Sequence, residues 1–218
     1  HQPVPAMKPT EKLIDSTADV LTRLLRFEYP ADSVLSAHFR DQRALQSRER
    51  AFIAEHAYLV LRRLRWLRAI AGQNAGARKL LITALARIEG LGHKQLAPLV
   101  SRNEAQWLET LAPSSATELS LGERTDLPDW VLERLSAQMD ETSLLSLARS
   151  LNTQAPLDLR INVMKTDIDA VQATLTNNGL TSTPGRYSPW ALRLEERPPL
   201  TKNPLYEKGI IEVQDEGS

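Results

Sequence analysis

The chain has 218 residues, 42% of them hydrophobic and 25% charged, which suits one large core or two modest ones and argues against a disordered chain. It has no cysteine, which excludes a disulfide framework, a thiolate metal site and a cysteine nucleophile within these residues, and no apolar run approaches the ~18 residues of a membrane span. The 27 basic and 27 acidic side chains balance, yet residues 1–112 carry 17 against 11 and residues 113–218 carry 10 against 16, an asymmetry that suggests a basic binding face.

Residues 1–10 read as a flexible lead-in: "HQPVPAM" has two prolines and no periodicity, with Met7 available as a native start. No basic and apolar leader with a cleavage site is visible, so a cytoplasmic protein with no membrane partner is expected. Residues 11–123 read as a bundle of five or more helices. Ile14, Ala18, Leu21 and Leu25 form one stripe; Ile53, Ala57, Val60, Leu61, Leu64 and Leu67 form a longer one on a single long helix; Leu81, Leu85 and Ile88 form a third. Pro30, "NAGA" and "EGLGH" punctuate them, and a polar, turn-rich stretch places a domain boundary near Glu123.

Residues 124–218 read as a small α+β unit. Two short helices, "PDWVLERLSAQM" and "ETSLLSLARSLN", come first, with Pro128 suited to a first turn. The period then becomes two: Leu157, Leu159, Ile161 and Val163 face one way, Asp158, Arg160 and Asn162 the other. Thr166 and Asp169 predict a capping box for a helix that stops at Asn178-Gly179. Further strands are expected at 190–194 and 210–214, leaving one polar strand face open for a partner.

Between Arg40 and Lys79 stand ten basic residues and three acidic ones, and Arg62, Arg65 and Arg68 share a side of the expected long helix beside Arg63. With Arg43, Arg48, Arg50, Arg78 and Lys79 they make either a phosphate-binding face or an ordinary solvated one. Arg160 and Asn162 either contact a nucleotide or pair with a neighbouring strand. Tyr187 is a candidate for base stacking, whereas Trp190, in phase with Leu192 and Leu194, reads better as core. Lys165 adds a cation beyond the strand. No metal site is expected, since His1, His38, His56 and His93 have no ligand spacing. "GLGHKQ" is not a dinucleotide loop, because Gln95 stands at the last glycine position and no strand precedes it. No complete catalytic apparatus and no cofactor site are expected here, and Asp215 and Glu216 read as turn residues.

"LRINVMK", "YSPWALRL" and "VQDEGS", with "NPLYEKG" between the last two, resemble the part preceding the catalytic domain in bacterial Sun/Fmu-type rRNA cytosine-C5 methyltransferases of the NOP2/Sun superfamily. The helical half is similar to the NusB-like RNA-binding domain that members of this group carry in front. The resemblance implies an all-α NusB-like bundle followed by a small α+β RNA-recognition subdomain. It further implies that a catalytic domain binding S-adenosylmethionine would follow Ser218, that small-subunit rRNA is the partner, and that these residues alone hold no catalytic or cofactor-binding group. By the same resemblance Arg160 and Asn162 face RNA or position domains, and Gln214 and Asp215 mark the domain junction. The alternatives are a stand-alone NusB-like RNA-binding or antitermination factor and a protein-interaction adaptor.

Overall fold

Thr10 opens helix α1 (Glu11–Leu24) by accepting the Leu13 amide at 3.3 Å on its hydroxyl, while Glu11 sits at the positive end of the helix. The computed structural model describes residues 7–111, 118–153, 155–198, 200 and 203–218. After α1 come α2 (Ala31–Asp41), α3 (Ser47–Arg62), α4 (Leu64–Ala71), α5 (Ala77–Arg87), α6 (His93–Leu96) with a 3-10 turn at Ala97–Leu99, and α7 (Arg102–Thr110). The helices α8 (Leu121–Thr125), α9 (Asp129–Ser136) and α10 (Glu141–Asn152) complete this series. Contacts group residues 1–152 into one unit and residues 153–218 into a second.

In the helical unit α1 packs against α3 and α5. The stripe of Ile14, Ala18 and Leu21 is buried, and Leu25 is half-buried one residue past the helix. The middle of α5 is enclosed on all sides: every residue from Leu80 to Leu85, Thr83 included, is buried. Reciprocal capping boxes, Ser101 with Glu104 and Ser120 with Glu123, start α7 and α8.

Two expectations change here. The single long helix is two helices: the backbone departs from helical geometry at Arg63 (φ −107°, ψ 21°), and α4 begins anew at Leu64. Trp66, the third residue of α4, has an amide that a new helix leaves without a carbonyl partner, and Asp126 Oδ1 accepts it at 2.8 Å. The same contact carries the helical unit beyond Glu123. α8 packs on α4, α10 on α8, and the grouping of contacts changes only after Asn152. Glu123 marks a change of composition, and the packing boundary lies elsewhere.

The second unit contains β1 (Leu157–Ile161), α11 (Ile168–Asn177), β2 (Ser182–Pro184), β3 (Ala191–Leu194), α12 (Pro204–Glu207) and β4 (Ile211–Val213). The strands lie in the order β2-β3-β1-β4 with every neighbour antiparallel, the β-α-β-β-α-β arrangement of the ferredoxin-like fold. Leu159, Ile161, Leu192, Leu194 and Ile211 bury one sheet face with Val171 and Leu175 of α11. The chain thus has a helical bundle and a small α+β unit, as expected.

Details differ by a residue or two. Asp167, not Thr166, caps α11, accepting the Ala170 amide at 2.8 Å. Val163 lies beyond β1 and is 44% exposed. Trp190 is not core: β3 begins at Ala191, and the indole precedes the strand, 49% exposed.

Candidate nucleic-acid interface

The outward-facing residues of the sheet divide into a locked part and an open part. Asp158 points away from the apolar core, yet it is buried, because Arg193 across the β1–β3 register donates Nε and Nη2 to its two oxygens at 2.7 and 2.8 Å. The Glu216 amide adds a third bond at 3.3 Å. The Arg193 guanidinium holds the Asp158 carboxyl below its ordinary range, helped by the Glu216 amide against the opposing effect of burial. These groups form an internal network and offer little to a ligand.

Two residues along β1, the surface opens. Arg160 is exposed and donates to Gln214 Oε1 at 3.2 Å. Asn162 donates to the Gly209 carbonyl at 3.2 Å and accepts the Met164 amide at 3.2 Å, so its amide orientation is fixed from both sides. A cleft of ≈ 530 Å³ runs here, lined by Arg160, Asn162, Met164, Trp190, Tyr206 and Glu212. A second of ≈ 260 Å³, lined by Ser188, Gln214 and Asp215, shares Arg160 and Trp190 with the first. Met164 is 92% exposed and Tyr187, on the adjoining loop, 75%. Accessible aromatic faces beside an arginine and a fixed amide can stack a base, hydrogen-bond its edge and neutralise a phosphate.

The arginines of the helical unit are placed differently. Arg62 reaches the Asn152 carbonyl at 3.3 Å; Arg63 pairs with Asp126 at 2.6 Å and lies over the Trp66 ring; Arg65 donates to the Leu127 carbonyl at 2.8 Å and pairs with Asp129 at 2.7 Å. Arg68 is half-buried, with its Nε enclosed. The row therefore binds the segment after α8 to α4. Arg78 pairs with Glu104 at 2.5 Å and with Asp15, Lys79 lies 5.0 Å from the Trp107 ring centre, and Arg50 donates to the Leu45 carbonyl at 3.0 Å. Arg43 and Arg48 are exposed.

Of the residues singled out in the sequence, Arg160, Asn162, Gln214 and Asp215 come together around the clefts. Lys165 lies close by, its Nζ donating to the Lys208 carbonyl at 2.6 Å, and Asp215 accepts the Gly217 amide at 2.8 Å in a terminal turn. Tyr187 is exposed, with Arg186 over its ring at 5.2 Å. Met164 and Tyr206, which line the first cleft, carry no sequence signal for it, and Trp190, weighed for stacking but read as core, lines both clefts. Pro189 immediately before Trp190 was the available signal, since proline donates no ladder hydrogen bond and is disfavoured inside a central strand such as β3.

The sheet order defines a ferredoxin-like module with an aromatic-lined cleft at one end of its sheet. Residues 127–201 match a family model described as the ferredoxin-like domain of RsmF/B-like methyltransferases. A "Probable ribosomal RNA small subunit methyltransferase B" of Synechocystis sp. is 34% identical over 99 residues, 45% of this chain and 22% of the relative. "Ribosomal RNA small subunit methyltransferase B" of Photorhabdus laumondii is 27% identical over 132 residues (57% and 29%), and that of Shigella flexneri 35% over 88 residues (40% and 20%). Over these residues the chain is similar to RsmF/B-like methyltransferases and to ribosomal RNA small subunit methyltransferases B, and its matches span less than a third of these relatives' length. Among solved structures, the crystal structure of PH0851 shares the fold with a TM-score of 0.61 at 14% identity, covering 97% of this chain and 54% of that one.

Proposed function

We propose that this chain is the RNA-handling region of an S-adenosylmethionine-dependent small-subunit rRNA cytosine-C5 methyltransferase, the region that precedes the catalytic domain. In this reading the helical unit is a NusB-like RNA-binding domain, the ferredoxin-like unit after Asn152 is the RNA-recognition module, and methyl transfer belongs to the whole protein, acting in the cytoplasm. The observation that carries the proposal is the open end of the ferredoxin-like sheet, where Arg160, Asn162 and Trp190 share one cleft. The relatives' names, which specify small-subunit rRNA, support the substrate class.

The β1–α11 turn, residues 162–167, contains no glycine, and Lys165 within it is bonded to the Lys208 carbonyl. The region's contribution is to hold RNA: a base against Trp190, its edge near Asn162, and a phosphate on Arg160. Fluorescence anisotropy with a short labelled single-stranded RNA tests this. Trp190→Ala is expected to weaken binding by about 1–3 kcal/mol, the value of one base–aromatic stack, and Arg160→Ala to lower the salt slope by ~0.7. Unchanged affinity and slope in both variants would refute the cleft as an RNA site.

A further inference from the structure

The loop that carries Tyr187, Ser188 and Trp190 into the cleft has no regular secondary structure between Gly185 and Trp190, so something else must fix its path. Glu216 does so. Its side chain is 4% exposed, and Oε1 accepts the backbone amides of Tyr187 at 2.5 Å and Ser188 at 2.9 Å. Its own amide donates to Asp158 Oδ2 at 3.3 Å, and Arg193 Nη2 approaches its Oε2 at 3.7 Å. Ser188 passes the constraint on: its hydroxyl accepts the Trp190 amide at 3.3 Å, and its carbonyl accepts the Ala191 amide at 3.2 Å. The Trp190 carbonyl in turn accepts the Ile161 amide at 2.8 Å. Gly185 leaves room for the carboxylate, since a Cβ there would lie 2.4 Å from Glu216 Oε1 and 2.7 Å from Ala191 Cβ.

From this geometry we infer that Glu216 is a positioning residue for RNA recognition: its carboxylate clasps the β2–β3 loop and thereby presents Trp190 and Tyr187 at the cleft. The inference rests on the reading of that cleft as an RNA site. It makes a prediction opposite in sign to simple electrostatics. Removing a negative charge beside a bound polyanion should tighten binding, whereas releasing the clasp should loosen the stacking surface and weaken it. A glutamine keeps a carbonyl oxygen that can accept both amides while losing the charge.

The test measures the affinity of the full chain for a short fluorescein-labelled single-stranded RNA of mixed sequence, together with hydrogen exchange at the Tyr187 and Ser188 amides. Glu216→Ala is expected to bind about tenfold more weakly, most of one base stack, with faster exchange at both amides. Glu216→Gln is expected to bind at least as well as the parent, with protection retained. Gly185→Ala, which crowds the carboxylate from the other side, should reproduce the alanine result. If Glu216→Ala binds as tightly as the parent or more tightly while Trp190→Ala binds weakly, the positioning role is overturned. Unaltered exchange at Tyr187 and Ser188 in Glu216→Ala overturns it as well. If Trp190→Ala and Arg160→Ala also bind like the parent, the cleft reading itself has failed and the inference falls with it.

Discussion

Replacing Asp158 by alanine probes the polar network on the outward face of the sheet. Asp158 is buried at 4%, and it accepts two bonds from Arg193 and one from the Glu216 amide. The alanine variant loses two charge-assisted bonds and leaves an amide without its acceptor, which for a wholly buried pair would cost about 3–5 kcal/mol. Arg193 is 44% exposed, so its guanidinium regains water when the partner goes, and the expected cost falls to about 2 kcal/mol. The pH dependence has a fixed sign. The folded-state pKa of Asp158 is lowered, so its stabilising effect is present above the ordinary carboxylate value and is lost as pH falls through the folded value. Chemical denaturation of the parent, Asp158→Ala and Asp158→Asn, followed by amide protection in β1 and β3, measures both effects. The acid-side loss should be shallower in both variants. A cost below about 0.5 kcal/mol, the ordinary range of a surface substitution, or an unchanged pH profile would refute the account of this network.

In the helical unit, Asp126→Ala should destabilise by about 3 kcal/mol, since it strands Arg63 and the Trp66 amide together; calorimetry would show this, and Asp126→Asn, which keeps an acceptor for Trp66, should cost less. The triple variant of Arg62, Arg65 and Arg68 to alanine should lower thermal stability while leaving the salt dependence of RNA binding unchanged, because Arg62 and Arg65 bond to protein groups and Arg68 is half-buried. Burial disfavours the His56 imidazolium, yet its bonds to Glu89 at 2.8 Å and to the Phe52 carbonyl at 2.6 Å outweigh that and raise its pKa. The stability it contributes is therefore complete below ~6.5 and lost as pH rises through the raised value, and Glu89→Gln should flatten that loss in melting curves taken across neutral pH.

The buried faces were legible because burial repeats with the geometry of the element. Ile14, Ala18 and Leu21 recur at helical spacing and Leu159 with Ile161 at strand spacing, and all of them are buried. What stayed hidden depends on pairs far apart in sequence. The spacing of Arg62, Arg65 and Arg68 reads identically whether the partner is a phosphate or a protein group some sixty positions away, such as the Leu127 carbonyl and the Asp129 carboxylate that Arg65 meets. The helix break at Arg63 was unreadable for the same reason, since local residues favour continuation and the competing acceptor comes from Asp126. Trp190 misled by phase. Alternation holds only inside a strand, and here two consecutive buried residues, Ala191 and Leu192, mark the place where it begins.

The charge asymmetry that suggested a basic face in the first half deserves the same reading in reverse. Acidic residues outnumber basic ones in the second half, but two of them, Asp158 and Glu216, are internal acceptors and add little to the field outside. Glu212 and Asp215 do line the clefts, next to a single arginine, Arg160. Such a surface cannot bind RNA mainly by counterion release, which grows with the number of phosphates neutralised and gives only ~0.7 of slope for one contact on a single strand. On the proposed reading its binding free energy comes from Trp190 and the neighbouring aromatic faces, at about 1–3 kcal/mol for each stacked base. Unpaired, accessible bases are therefore the form of RNA this cleft suits, and a duplex, whose bases are already stacked, offers it little.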